Sequence, residues 1–239
     1  MMPLVVIDAG HGGKDPGAVG FGLRESDVTL RFALMLRDEL GAYEVRVHLT
    51  RATDVFLELS ERAAIANRLG ASLFVSPHCN AGGGTGFESY IYTKAGEATA
   101  AIQNAIHGEL AAYMAQHGIR DRGKKRANYA VLRETRMAAV LLELAFIDNE
   151  HDNRLLRDDG FLRGAAAAAA RGIAKALGLR RKAASKTGAV PVYVDGKYVG
   201  QGVLIEDRTF VPVRLVAEAL GAKVNWDPKT KSVHIYREK

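Results

Sequence analysis

One cysteine, Cys79, is all that the 239 residues contain. No intramolecular disulfide can form, and a chain of this length needs none to hold a core. Long apolar runs are missing too. The alanine run Ala165–Ala170 is short and closed by Arg163 and Arg171, so it reads as a helix and not as a membrane span. Met1-Met2-Pro3 leads at once into Leu4–Asp8, with no basic segment, no long apolar stretch and no small-residue cleavage site, so a secretory leader is not expected. No HExxH and no CxxC pair occurs, so the general zinc signatures give no help. There is no internal repeat.

What is present fits a soluble globular protein with one main core and room for a second, small one: 48% of residues are hydrophobic and 25% charged. The net charge of +6 is unevenly placed. Residues 1–179 carry 21 basic and 21 acidic residues, whereas 180–188 hold Arg180, Arg181, Lys182 and Lys186 with no acid. Residues 189–239 have 8 basic and 6 acidic residues. The excess in this stretch and the tail reads either as a solvated linker or as attraction to a polyanion, nucleic acid or the anionic polymers of a cell wall.

Strand and helix patterns alternate over the first 179 residues. Strands are expected at Leu4–Ala9, Glu44–Thr50, Ser72–Ser76 ending at Pro77, Gly86–Thr93 and Val140–Ala145. Helices are expected at Glu25–Leu40, Leu57–Leu69, Ala95–His117 and Asp158–Leu177. This alternation predicts an α/β domain with a largely buried sheet. The pattern stops near Gly178. Residues 180–188 read as a basic linker, and 189–239 have a different texture, that of a small α+β unit. There Asp195-Gly196 predicts a tight hairpin turn, Thr209–Val213 a strand, Arg214–Leu220 a short helix, and Val224–Tyr236 a final hairpin.

Three segments at strand ends carry the chemistry. Asp8–Ala18 runs from a strand into a loop with glycines at 10, 12, 13 and 17, presenting His11, and Glu25 follows at the first turn of the next helix. Ser76–Ala81 presents His78. Leu141–Asn149 places Glu143 inside an apolar strand, where an unpartnered carboxylate is costly and needs a metal or a catalytic task. Two His and one Glu with a further Glu free suit a catalytic zinc site, which uses three protein ligands and leaves a position for water. Taken one at a time, the residues have other readings. His11 suits polar surface, Glu25 suits the helix dipole, and His78 suits a capped strand end.

Together, the runs Val6–Ala18, Glu25–Leu30, Leu49–Arg51, Ser76–Ala81, Val131–Arg133 and Val140–Asn149 resemble the zinc-dependent N-acetylmuramoyl-L-alanine amidases of the type 3 family, in family order. The resemblance implies a mixed, mostly parallel sheet flanked by helices. It implies zinc on His11, Glu25 and His78, with Glu143 as catalytic acid and base. Cys79 and Ala145 depart from the usual Ala and Gly, and Cys79, next to His78, is expected to face the core. Arg133 is expected either to bind a substrate carboxylate or the amide oxyanion, or to be a surface ion-pair residue. Asp8 is expected to support the site from behind. The tail resembles the copper amine oxidase N-terminal-like, or stalk, domain through Val194–Lys197, Arg208–Arg214, Ala217–Val224 and Trp226-Asp227, without implying copper.

The expected activity is hydrolysis of the amide between N-acetylmuramic acid and L-alanine in peptidoglycan, with the tail as a wall-binding module. The expected setting is a phage lysin, cytoplasmic until a holin releases it to the wall. A secreted bacterial autolysin is the alternative. A zinc peptidase acting on wall peptides and a wall-binding protein with a dead site are the rivals. Anionic wall polymers are expected partners and nucleic acid is not.

Overall fold

The structure, a computed structural model, describes residues 2–182, 188–205 and 208–237. Its contacts divide the chain into two compact units, Met1–Arg181 and Lys182–Lys239. Lys186 and most of the expected linker lie outside the described residues.

The first unit is built on a six-stranded sheet of β1 (Leu4–Ile7), β4 (Arg46–Leu49), β5 (Leu73–Asn80), β6 (Phe87–Tyr92), β7 (Asp121–Ala127) and β8 (Ala138–Phe146). The spatial order is β4-β1-β5-β8-β6-β7. Strands β4, β1, β5 and β8 are mutually parallel, β6 is antiparallel to β8, and β7 is parallel to β6. The sheet is therefore mixed and mostly parallel. All four β1 residues are buried, as a strand covered on both faces demands. A two-stranded ribbon of β2 (Val19–Gly20) and β3 (Leu23–Arg24) precedes α1 (Glu25–Leu40).

The pleat divides the core in two. Val5, Ile7, Leu73, Val75 and Leu142 face α1, α3 (Glu97–Gln116) and α6 (Asp159–Leu177). Leu4, Val6, Phe74 and Leu141 face α2 (Leu59–Leu69) and the one-turn α4 (Ala130–Arg133). The alanine run of α6 is buried throughout except Ala167, and Gly172 lets α6 approach α3 so closely that a Cβ there would sit 2.6 Å from Ile106 Cα. Cys79 lies buried in the larger core.

Strand β5 does not end at Pro77 but runs on to Asn80. In the parallel register with β1 a Pro77 N–H would donate to the Asp8 carbonyl. Proline lacks that donor, and Ser76 Oγ stands 3.3 Å from the same carbonyl. The strand survives because its other edge stays paired with β8 through His78. The ribbon β2–β3, the basic edge strand β7, α4 and α5 (Glu150–Arg157) are elements that apolar periodicity does not announce.

The second unit has a three-stranded antiparallel sheet of β9 (Gly188–Val194), β10 (Lys197–Ile205) and β11 (Arg208–Phe210). Helix α7 (Val213–Ala219) and the hairpin β12 (Ala222–Asp227)–β13 (Ser232–Arg237) complete it. Asp195 and Gly196 both have positive φ, 49° and 75°, as their turn requires. The expected strand Thr209–Val213 stops at Phe210, because Pro212 caps α7. Among the described residues no helix is long and apolar enough to cross a membrane.

Candidate metal centre and active site

The carboxyl ends of the parallel strands β1, β5 and β8 converge with the amino end of α1, the place where an α/β sheet offers a crevice. Past β1, residues 8–18 form a loop in which His11 takes a left-handed conformation, φ 61°. A non-glycine residue there is strained unless the surroundings hold it. Two buried arginines do so. Arg51 donates to the carbonyls of Ala9 and Gly10, and Arg62 to those of Ala9 and His11. Arg62 is anchored by Asp8, Nη1 to Oδ1 3.0 Å, with both side chains buried. Asp8 thus supports the site through Arg62 and the loop backbone, and touches neither histidine.

Glu25 begins α1 and turns its carboxylate back into the loop. Its Oε1 lies 3.1 Å from His11 Nε2 and 2.9 Å from His78 Nδ1, while Oε2 accepts from the Ala18 N–H. The Cys79 N–H also donates to Oε1. The three ligand atoms lie within 4.8 Å of one another. Two imidazole nitrogens and one carboxylate oxygen are the donor set of a hydrolytic zinc site. His11 Nδ1 bonds Asp15 Oδ2 at 2.8 Å, which leaves Nε2 for the ion. The cradle has no slack. A Cβ on Gly10 would stand 2.4 Å from His78 Cε1, and one on Gly17 2.7 Å from both Glu25 Oε2 and His11.

Charge in this cluster is strongly coupled. Burial disfavours a charged His11, but its bonds to Glu25 and Asp15 outweigh that and raise it to about 9. Burial likewise opposes charge on His78, and Glu25 again raises it. Burial favours a neutral Glu25, yet the two histidines hold it far below the usual carboxylate range. The protons sit where a cation would sit, so the donor set is built for positive charge.

Glu143, in the middle of β8, is paired in register with His78. Its side chain faces the same cavity as His11 and His78, a space of about 520 Å³ walled on its apolar side by Phe56, Leu57, Leu59, Val131 and Leu141. Glu143 Oε2 is buried without a hydrogen-bond partner. Burial pushes the carboxyl up to about 7, with His78 opposing and Glu25 and Glu88 adding to the shift. Asp148 Oδ1 is also buried without a partner, but Asp148 Oδ2 accepts from the Gly82 and Gly83 N–H groups, which leaves the Glu143 oxygen beside the cation site as the orphan with no such structural task.

Arg133 is not brought to this cavity. It borders a separate small cavity with Tyr92 and Leu132, pairs with Glu134 at 2.9 Å, and bonds the Asn128 carbonyl. Sequence reasoning missed Arg62 and Tyr129, and Asp15 and Arg51 stood in matched runs without a role.

Residues 5–175 match the N-acetylmuramoyl-L-alanine amidase family, and 193–239 match the copper amine oxidase N-terminal domain. This chain belongs to the amidase family. Its His11, Glu25 and His78 are the metal-binding triad of a zinc-type amidase. An endolysin of Bacillus phage SPP1 is 47% identical over 186 residues, covering 76% of this chain and 69% of the endolysin. A sporulation-specific N-acetylmuramoyl-L-alanine amidase of Bacillus subtilis is 44% identical, covering 77% and 72%. Among solved structures, the catalytic domain of the amidase CwlV from Bacillus (Paenibacillus) polymyxa var. colistinus superposes with a TM-score of 0.70 at 38% identity, covering 75% of this chain and all of that domain. The tail adds a copper amine oxidase N-terminal-like unit to this amidase domain.

Proposed function

We propose that this amidase cleaves the bond between N-acetylmuramic acid and L-alanine with Glu143 as its proton carrier, in the setting of a phage lysin. The observation that carries the catalytic reading is the unpartnered Glu143 Oε2 in the cavity of the metal triad. A zinc ion held by His11, Glu25 and His78 would supply Lewis acidity and a water of lowered pKa. Glu143 takes a proton from the attacking water and returns it to the departing alanine nitrogen. Burial, which lifts its carboxyl to about 7 in the metal-free protein, favours the protonated form that the departing nitrogen needs. The apolar wall of Phe56, Leu57, Leu59, Val131 and Leu141 suits the methyl groups of the lactyl-alanine junction. Digestion of sacculi followed by mass spectrometry tests the reading. New alanine N-termini with intact lactyl glycan are expected, whereas a zinc peptidase would leave alanine attached to the lactyl group.

The lysin setting is supported by the likeness to a phage endolysin. In this reading the chain collects in the cytoplasm, a holin opens the membrane, and the tail with the basic stretch Arg180–Lys182 and Lys186 holds anionic wall polymers. Expression with and without a holin tests it: lysis that needs the holin supports the lysin, and lysis without it supports the secreted autolysin.

A further inference from the structure

Glu143 has different neighbours on its two sides. In the strand order β5-β8-β6-β7, His78 of β5 stands opposite it on one side and Glu88 of β6 on the other. Residues directly opposite across a ladder share a face of the sheet, which puts Glu88 about 5 Å from Glu143, on the side away from the metal triad. Glu88 is buried and its carboxylate is full. Oε1 accepts from Asn80 Nδ2 and Tyr90 Oη, and Oε2 from Arg122 and Lys125 of β7. Burial opposes its charge, yet Lys125, Arg122 and Tyr90 hold it down to about 2.

Arg122 and Lys125 are three residues apart, a spacing that sends two side chains of a regular strand to opposite faces. A bulge brings them together. The register of β6 with β7 slips between the Phe87 and Ser89 pairs, where Gly123 has φ 85° and its N–H donates to Asp121. Gly86 makes room for Arg122, since a Cβ there would stand 2.8 Å from Arg122 Cγ. Lys125, paired with Tyr90, shares the face of Glu88, whereas Lys124 turns to the other face and bonds Asn104 of α3. One carboxylate needs one cation. Glu88 has two, no other acid pairs with either among the described residues, and their side chains remain 30% and 36% exposed. The cluster keeps a positive charge that a ligand can reach. The cavity itself is lined by the acids Asp15 and Glu58, so an anionic group of the substrate is repelled there and attracted here.

We propose that Arg122 and Lys125 form a subsite for a carboxylate on the departing peptide, carried by the residue that follows the alanine. This rests on the amidase reading with Glu143 as proton carrier. Glu143 meets the departing nitrogen, and the peptide beyond that nitrogen runs past Glu143 toward β6 and β7. Two extended residues span about 7 Å. That matches one strand spacing of about 5 Å plus a hydrogen bond of about 3 Å from the cations at Glu88. A glutamate coupled onward through its side chain presents its α-carboxylate at that distance. Glu88 positions the two cations and touches no substrate.

The test measures kcat/KM on two soluble muropeptides. One is N-acetylmuramoyl-L-alanyl-γ-D-glutamyl-L-lysine, and the other is the same molecule with the glutamyl α-carboxylate amidated. Wild type should prefer the acid on the order of tenfold, mostly through KM, and the preference should narrow at high salt. Arg122→Gln and Lys125→Gln can still donate to Glu88 but lack the charge. Each should cut the preference severalfold, with cleavage of the amidated substrate, zinc content and Tm near wild type. Lys124→Gln, on the other face, should keep the full preference. Equal cleavage of both substrates by wild type would overturn the subsite, and so would variants that lose both substrates alike, which marks a purely structural cluster. A preference erased equally by Lys124→Gln would reduce it to the general field of β7. Should either glutamine variant fail to fold, the other variant and the salt dependence of wild type still decide. A wild type that frees no alanine N-terminus from either substrate would instead sink the amidase reading, whereas an active wild type without preference removes the subsite alone.

Discussion

Asp8 and Arg62 form an ion pair shut off from solvent, and the guanidinium spends its remaining donors on the backbone that carries His11. The pair couples the stability of the fold to the shape of the metal site. Removing one partner of a buried pair leaves the other charge stranded, at a cost of about 3–5 kcal/mol. Arg62→Met should therefore lower stability by about that amount and loosen the His11 loop. Chemical unfolding and zinc titration check it together. Unchanged zinc affinity in a destabilised variant would confine Arg62 to the fold.

Zinc uptake should release protons. In the metal-free protein Glu25 and Asp15 raise His11 to about 9, so it holds at neutral pH a proton that zinc must displace, and His78 is raised in the same direction by Glu25. Affinity should rise with pH and level off above about 9. The same shifts act on the metal-free fold. A raised histidine contributes stability that is complete below its ordinary value near 6.5 and fades as pH climbs through about 9. Calorimetry in buffers of different ionisation enthalpy reads the proton count, and no release at pH 7 would contradict the coupling.

Glu143 and His78 should separate catalysis from metal binding. Glu143→Gln keeps the volume but cannot carry a proton, so activity should fall on the order of a hundred- to ten-thousand-fold with zinc retained. His78→Ala should lose zinc and activity together. Zinc analysis beside muropeptide release decides, and a zinc-free Glu143→Gln would make Glu143 a ligand.

A burial effect accompanies this. Ionising Glu143 in the metal-free protein opposes folding as pH rises from about 4.5 to about 7. Metal-free Glu143→Gln should consequently be more stable than metal-free wild type at pH 8, by about 1–3 kcal/mol. The gain should vanish at pH 4, and thermal unfolding at both pH values measures it.

Cutting the chain after Leu179 should leave cleavage of soluble muropeptides intact and weaken binding to whole walls. The contacts of Met1–Arg181 close on themselves as one unit. The affinity gap should narrow at high salt, because basic side chains act through screened charge. Sedimentation with purified walls at two ionic strengths reads this out, and equal binding by both lengths would remove the tail from wall recognition.

The metal triad was legible because His11 and His78 follow recognisable apolar runs, Glu25 opens the helix after the first of them, and the matched runs keep family order. Their support was not. Arg62 lies on a helix where a basic residue reads as solvated, and only folding buries it against the His11 loop. Strand β7 carries Arg122, Lys124, Lys125 and Arg126 with no apolar alternation, and its place depends on Glu88, which pairs with Arg122 and Lys125 from the next strand. Helix α5 did leave a signal, the cap Asn149 that accepts from His151 and Asp152, but it lacks a long apolar stripe. Arg133 had two readings from its matched position, and of these the folded chain favours the surface ion pair, committing the side chain to Asn128 and Glu134.

The lone cysteine has a practical bearing. Cys79 points into the larger core, and burial lifts its thiol far above the ordinary range, so it is neither reached by reagents nor ionised at working pH. A cysteine introduced on any exposed loop would be the single reactive thiol in the molecule. The folded enzyme accordingly accepts one fluorophore or spin label at a chosen point with its native cysteine left in place.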